Sequence, residues 1–225
     1  MMKTLSNNSS TSLASLSYKI LPILLIYGLI AVFFFCAGCK KKESGESKPE
    51  ITLQNLGTAY ASEMRISREY LLFARNAEKN HYSSVAVLFR AASRSEQIHA
   101  EMAAALMRSK GMEVKPYIPD SIAVGTVAQT LHLAMSDEGL ETESMYPKLL
   151  HTAELEKFPE AVESFRKSMN ADLRHTELFK NILDKAASRQ AGVYYVCPCC
   201  GYIITSEKVD ECPGCHEKKD KFEKI

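Results

Sequence analysis

Residues 88–102 read LFRAASRSEQIHAEM. Alanine, leucine, methionine and charged residues dominate this stretch, and it holds neither proline nor glycine, so it reads as helix. Glu96 and His99 stand three positions apart within it. That spacing puts a carboxylate and an imidazole on one face, one turn apart. A single pair of this kind arises by chance on many helices. Its meaning depends on whether neighbouring helices carry partners.

They do. Upstream, AYASEMRISREY at 59–70 carries Glu63 in a helical stretch expected over 52–79 and ending near Asn80-His81. The stretch around Glu96 is expected over 83–110, stopping at Gly111. A longer connection follows, broken by Pro116 and Pro119. A third helix is expected after Asp120-Ser121, which would cap it, and to run to about 154 with a kink at Pro147. It holds Glu138 and Glu141. A fourth is expected from Phe158-Pro159 to about 189 and holds Asp172 and His175. Four helices of seven or eight turns between 52 and 190 are the arithmetic of an all-α four-helix bundle.

Every helix carries an acidic motif, set among apolar neighbours such as Ala61, Ile98, Ala100 and Leu140. A Glu on each of two helices, with a carboxylate-x-x-His pair on the other two, is a dinuclear metal pattern. Five carboxylates packed into one core would repel one another and suffer desolvation. Two divalent cations would nearly balance them, and oxygen with imidazole suits iron or manganese.

The chain changes character at 193. Residues 193–225 are short of apolar mass and hold five cysteines, so something other than a core must hold them together. Cys197 and Cys200 form one C-x-x-C, Cys212 and Cys215 a second. Two such knuckles supply four thiolates for iron or zinc, with a pair of disulfides as the alternative in an exported protein. Cys199 is left over as an oxidisable thiol. The lysine-rich end EKKDKFEKI reads as solvated, with docking of an acidic electron donor as a second use. His81, His132, His151 and His216 lack carboxylates at ligand spacing.

Together these motifs resemble the rubrerythrin family over 52–225, on AYASEMRISREY, LFRAASRSEQIHAEM, EGLETESMYP and YVCPCCGY…CPGC. The resemblance implies a ferritin-like bundle followed by a small rubredoxin-like iron-binding domain, and reduction of hydrogen peroxide to water. It implies that Glu63, Glu96, His99, Glu138, Glu141, Asp172 and His175 bind two Fe ions. It further implies that Tyr70 and Tyr146 are catalytic hydroxyls bonded to those carboxylates, and that Cys197, Cys200, Cys212 and Cys215 hold one Fe. Glu138 and Glu141 would exchange with His99 as ligands on redox change. A head-to-tail homodimer would bring each rubredoxin-type site to the partner's bundle. Departures are Asp172 where the family has Glu, and His216 where a glycine often follows the second knuckle. Two other functions fit the motifs: iron oxidation and buffering, or a non-catalytic protein ending in a zinc ribbon.

The first forty residues read as an address. Ile20 to Gly38 holds no charge and is apolar enough for a signal segment or membrane anchor. It ends in Phe35-Cys36-Ala37-Gly38-Cys39, similar to a bacterial lipobox, so residues 1–38 are expected to be a signal and Cys39 the lipidated residue. Residues 39–51 then form a flexible spacer. The expected location is the bacterial cell envelope, outside the membrane, which leaves the electron donor protein unidentified. With 28 basic against 27 acidic residues there is no basic excess for nucleic acid.

Overall fold

The computed structural model describes residues 49–118, 121–184, 192–205 and 209–225. The expected signal segment, Cys39 and most of the expected spacer lie outside the described residues. Helix α1 spans Glu50–Lys79. Pro49 gives its first turn no side-chain cap, and Glu156 does so instead. Its carboxylate accepts from Ile51 N at 3.2 Å and Thr52 N at 2.7 Å. The helix ends at Asn80, and His81 turns the chain with φ +65°. Helix α2, Ser83–Ser109, runs back to Gly111 at φ +79°. The α1–α2 contact is drawn close by two small residues. Ser67 Oγ donates to the Ser93 carbonyl at 2.9 Å, and Ser93 Oγ to the Ser67 carbonyl at 2.8 Å.

The third helix starts later than expected. Helix α3 spans Val127–Leu140, and its cap is Thr126 rather than Asp120-Ser121. Thr126 Oγ1 accepts from Gln129 N, and Gln129 Oε1 accepts from Thr126 N. That reciprocal capping box satisfies two free amides at once. Asp120 lies outside the described residues, and residues 121–126 are not helical. The irregularity expected at Pro147 takes the form of one π turn, Glu141–Met145, followed by α4, Tyr146–Leu155. Proline has no N–H to give the carbonyl four residues back, so the regular ladder is interrupted there in any case. Helix α5, Pro159–Asp184, opens with proline in its first turn, where no donor is missed. Its expected continuation to 189 lies outside the described residues.

The interior is layered. Toward one end Tyr70, Phe73, Phe89 and Phe179 pack ring against ring, with centroids 5.2–5.6 Å apart for Tyr70–Phe89, Tyr70–Phe179, Phe73–Phe89 and Phe89–Phe179. Toward the other, Leu56, Tyr146, Leu149, Phe158 and Phe165 form a second apolar cluster. Along α1, α2 and α5 the acidic motifs fall between residues of the two clusters. The bundle therefore holds a polar layer between two greasy ones. Of the apolar neighbours expected around the motifs, Ile98 and Ala100 are buried. Ala61 and Leu140 face solvent, because each helix turns only one stripe inward.

The C-terminal module is a three-stranded antiparallel sheet in the order β2-β1-β3, with β1 Tyr195–Val196, β2 Ile203–Ile204 and β3 Glu223–Lys224. Strand β3 corrects the reading of the lysine-rich end as merely solvated. Its backbone pairs with β1, Glu223 accepts from Arg94 of α2 at 2.7 and 2.8 Å, and Ile225 N donates to Tyr194 O. Among the described residues no helix is long and apolar enough to cross a membrane.

Candidate metal centre

Glu63, Glu96, Glu138, Asp172 and His175 are completely buried, and Glu141 and His99 nearly so. All seven sequence-expected residues meet in the polar layer, one set from each helix. Glu96 lies between the two imidazoles. Its Oε2 is 2.9 Å from His99 Nδ1 and its Oε1 2.9 Å from His175 Nδ1. Asp172 Oδ1 is 3.3 Å from His99 Nδ1 and 3.8 Å from His175 Nδ1. Glu63 Oε2 adds to the His99 side at 3.5 Å, and Glu138 Oε1 to the His175 side at 3.3 Å. The groups sort into two overlapping halves: Glu96, Glu138, Asp172 and His175, against Glu63, Glu96 and His99 with Glu63, Glu141 and Asp172. Within each group the donor atoms lie within 4.8 Å of one another. Glu96 and Asp172 belong to both halves, so the short side chain of Asp172 still reaches both.

Buried polar atoms without hydrogen-bond partners mark this layer. Both oxygens of Glu96 and of Asp172, Glu63 Oε2, Glu138 Oε2, Glu141 Oε2 and His99 Nδ1 have no hydrogen-bond partner. Buried polar atoms are ordinarily paired, and a group of unpaired acceptors converging on one space suits a cation. The electrostatics agree. Burial pushes Glu63 up to about 7, with His99 opposing and Glu96 reinforcing. Burial and the charge of Glu96 push Glu138 to about 7 as well. Burial raises Glu141 and Asp172 well above the carboxylate range, and neighbouring carboxylates add to it. Burial alone would also raise Glu96, but the two imidazoles outweigh it and hold Glu96 low. His175 is lifted to about 9 because Glu96 and Glu138 outweigh burial. Burial and mutual repulsion in such a cluster favour anything that offsets the carboxylate charge, whether protons or cations.

Hydroxyls brace the layer from outside. Tyr70 OH donates to Glu138 Oε1 at 2.7 Å, and Tyr146 OH donates to Glu63 Oε1. Burial and those carboxylates raise both phenols well above their ordinary range, so they remain donors. Two further residues were not foreseen. Ser62 Oγ donates to Glu141 Oε1 at 2.8 Å, and Ser95 Oγ donates to the Gly201 carbonyl at 2.7 Å. Neither carries a spacing signal, since each contact joins residues far apart in sequence.

The second centre is built on the two knuckles. Cys197, Cys200, Cys212 and Cys215 are free thiols whose sulfurs form one group. Cys197 and Cys215 sulfurs are 3.6 Å apart, and Cys200 and Cys212 sulfurs 3.5 Å. A tetrahedron with metal–sulfur bonds of about 2.3 Å has edges of about 3.8 Å, so the set is close to ligating geometry. Hydrogen bonds from Cys197 and Cys200 hold the Cys212 thiol far below its ordinary range, against burial. Cys199 stays outside the group, 4.0 Å from Lys167 Nζ. His216 takes φ +61°, so it fills the left-handed position that glycine usually fills, with its Nδ1 2.9 Å from Glu211 Oε1. None of His81, His132, His151 and His216 joins a metal-holding group among the described residues.

The two centres touch through His99. Its Nε2 is 3.1 Å from the Cys200 carbonyl, and its Nδ1 faces Glu63, Glu96 and Asp172. A proton on Nε2 donated to that carbonyl leaves the Nδ1 lone pair for a metal. This contact is made within one chain.

A four-helix bundle with a carboxylate–histidine layer, followed by a four-thiolate knuckle module, defines a ferritin-like di-iron protein with a rubredoxin-like domain. Residues 54–183 match the family described as Rubrerythrin, and the chain belongs to that family. Rubrerythrin-2 of Clostridium acetobutylicum is 30% identical over 185 residues, covering 78% of this chain and 97% of that protein. Nigerythrin of Nitratidesulfovibrio vulgaris is 31% identical over 173 residues, covering 76% and 85%. The fully reduced, all-ferrous structure of nigerythrin has a TM-score of 0.74 at 28% identity, covering 84% of this chain and 91% of that one. A bacterioferritin of Desulfovibrio desulfuricans shares the fold at TM-score 0.58 and 17% identity. The carboxylate–histidine layer and the thiol group are accordingly sites for a di-iron centre and a single iron.

Proposed function

We propose that the chain is a peroxidase that reduces hydrogen peroxide to water in defence against oxidative stress. The balance is one peroxide, two electrons and two protons giving two waters. Two irons bound in the layer would supply the electrons that cleave the O–O bond. The observation that carries the reading is His99, which faces the bundle carboxylates on one nitrogen and the Cys200 carbonyl on the other. Iron storage alone has no use for that contact.

In this reading Glu63, Glu141 and His99 would hold one iron and Glu138 and His175 the other, with Glu96 and Asp172 within reach of both. Tyr70 and Tyr146 are positioning residues. Each fixes one carboxylate oxygen and leaves the other to the metal. The apolar clusters on either side keep bulk water from the layer. Cys197, Cys200, Cys212 and Cys215 would hold a single iron, which supplies one-electron transfer when bound, with a donor protein as the source of electrons. Tethering through Cys39 outside a bacterial membrane is part of the proposal, supported by the lipobox-like stretch Phe35–Cys39. So is pairing with a second copy.

The test is stoichiometry under argon. Fully reduced, iron-loaded protein receives limiting hydrogen peroxide. One peroxide consumed per two ferrous irons oxidised, without dioxygen release, supports the reading. Continued uptake and oxidation of added ferrous iron under air, with no preference for peroxide, would replace it by iron buffering.

A further inference from the structure

Three of the five carboxylates in the layer are braced by a neutral hydroxyl, and the three share one pattern. Tyr70 holds Oε1 of Glu138, Tyr146 holds Oε1 of Glu63, and Ser62 holds Oε1 of Glu141. In each case the other oxygen, Oε2, is buried without a hydrogen-bond partner. The other two carboxylates, Glu96 and Asp172, have both oxygens unpaired and sit between the two imidazoles. The layer thus separates two carboxylates open on both oxygens from three braced on one.

We propose that Ser62 is a positioning residue that fixes Glu141 for one-oxygen binding to the iron it shares with Glu63, on the di-iron reading given above. Several observations converge on it. A serine inside a helix commonly bonds back to a carbonyl one turn earlier. Ser62 instead reaches Glu141, 79 positions away, from the residue next to Glu63. Glu141 opens the π turn, so its backbone departs from the regular α-helix there. Its side chain lies where the regular ladder gives way, and Ser62 is the described hydrogen bond that ties it to another helix. A hydroxyl on a carboxylate is a charge-assisted bond, shorter and stronger than a neutral one. It removes one oxygen from competition for the metal and sets the rotation of the other.

The experiment titrates chelator-stripped full-length protein with Co(II), whose thiolate bands report the four-cysteine site separately from the weaker oxygen–nitrogen bands of the bundle. Wild type is expected to fill two bundle sites. Ser62→Ala is expected to weaken one of them about tenfold, the lower end for loss of an outer hydrogen bond to a ligand, and to change that site's band intensity. Ser62→Thr, which keeps the hydroxyl, is expected to restore both affinity and spectrum. Equal affinities in wild type and Ser62→Ala, or a Thr variant as weak as Ala, would overturn the proposal. Absence of bundle bands in wild type would overturn the di-iron reading itself.

Discussion

Gly201→Ala tests the contact between the two centres. Gly201 has φ +76°, which costs an L-residue about 1–2 kcal/mol. That strain stays inside the knuckle whether or not it touches the bundle. The added Cβ is the larger matter, since it would lie 2.4 Å from Ser95 Oγ and 2.5 Å from His99 Nε2. Ser95 and His99 are 0% and 1% exposed on the inner face of α2 and have nowhere to retreat. The knuckle must back away by roughly 1 Å to reach ordinary contact distance. The Ser95 bond to the Gly201 carbonyl and the His99 bond to the Cys200 carbonyl are then lost. At a net worth of about 1 kcal/mol each, their loss disfavours docking by about 2 kcal/mol, or about thirtyfold. The assay loads the variant with iron, reduces it and follows the ferric–thiolate colour after mixing with peroxide. The colour itself should match wild type, because the four cysteines are untouched, and its return should slow. Return at the wild-type rate with an intact spectrum would refute electron passage through this contact.

Other perturbations have defined outcomes. Phe89→Ala removes a ring packed against Tyr70, Phe73 and Phe179, and should cost about 3–5 kcal/mol in denaturant unfolding while leaving the thiol site filled. Asp172→Glu adds one methylene to a filled, fully buried position, at about 1–3 kcal/mol of stability, yet should still bind two metals by titration. Loss of both would show that the short side chain is required. The metal-free bundle should lose stability from pH 5 to pH 9. Glu63 and Glu138 are raised from 4.5 to about 7 and His175 from 6.5 to about 9. Groups raised in the folded state stabilise fully below their unfolded values, and that contribution fades as pH climbs through the folded ones. Glu96, held low, loses its contribution only on the acid side of this window. Thermal unfolding of chelated protein across pH 5–9 checks the slope, and a rising midpoint would contradict it.

The bundle and its seven-residue layer were legible because helical spacing ties a carboxylate to an imidazole one turn away, and four such helices repeat the signal. The knuckles were legible because C-x-x-C is a local pattern. What escaped is set by packing between distant segments. Ser62 and Ser95 act through partners 79 and 106 positions away. Strand β3 forms because Glu223 meets Arg94 and the backbone of β1, which a lysine-rich tail does not announce. The start of α3 is a different kind of miss. Thr126-x-x-Gln129 is a local capping box, and Gly125 precedes it. That signal was present, but competed with Asp120-Ser121 directly after Pro119. The exposure of Ala61 and Leu140 beside Glu63 and Glu141 shows that adjacency in sequence places residues on different helix faces.

The most direct measurement is rapid-mixing visible spectroscopy on the iron-loaded, fully reduced chain, wild type beside Glu63→Ala. The account predicts that the ferric–thiolate colour returns much faster with hydrogen peroxide than with air in wild type. It also predicts that the advantage disappears in Glu63→Ala, where the thiol site is intact and the bundle has lost a ligand. A wild-type colour that peroxide restores no faster than air, or an advantage that survives Glu63→Ala, would contradict the claim that electrons pass from the four cysteines to peroxide through the di-iron layer.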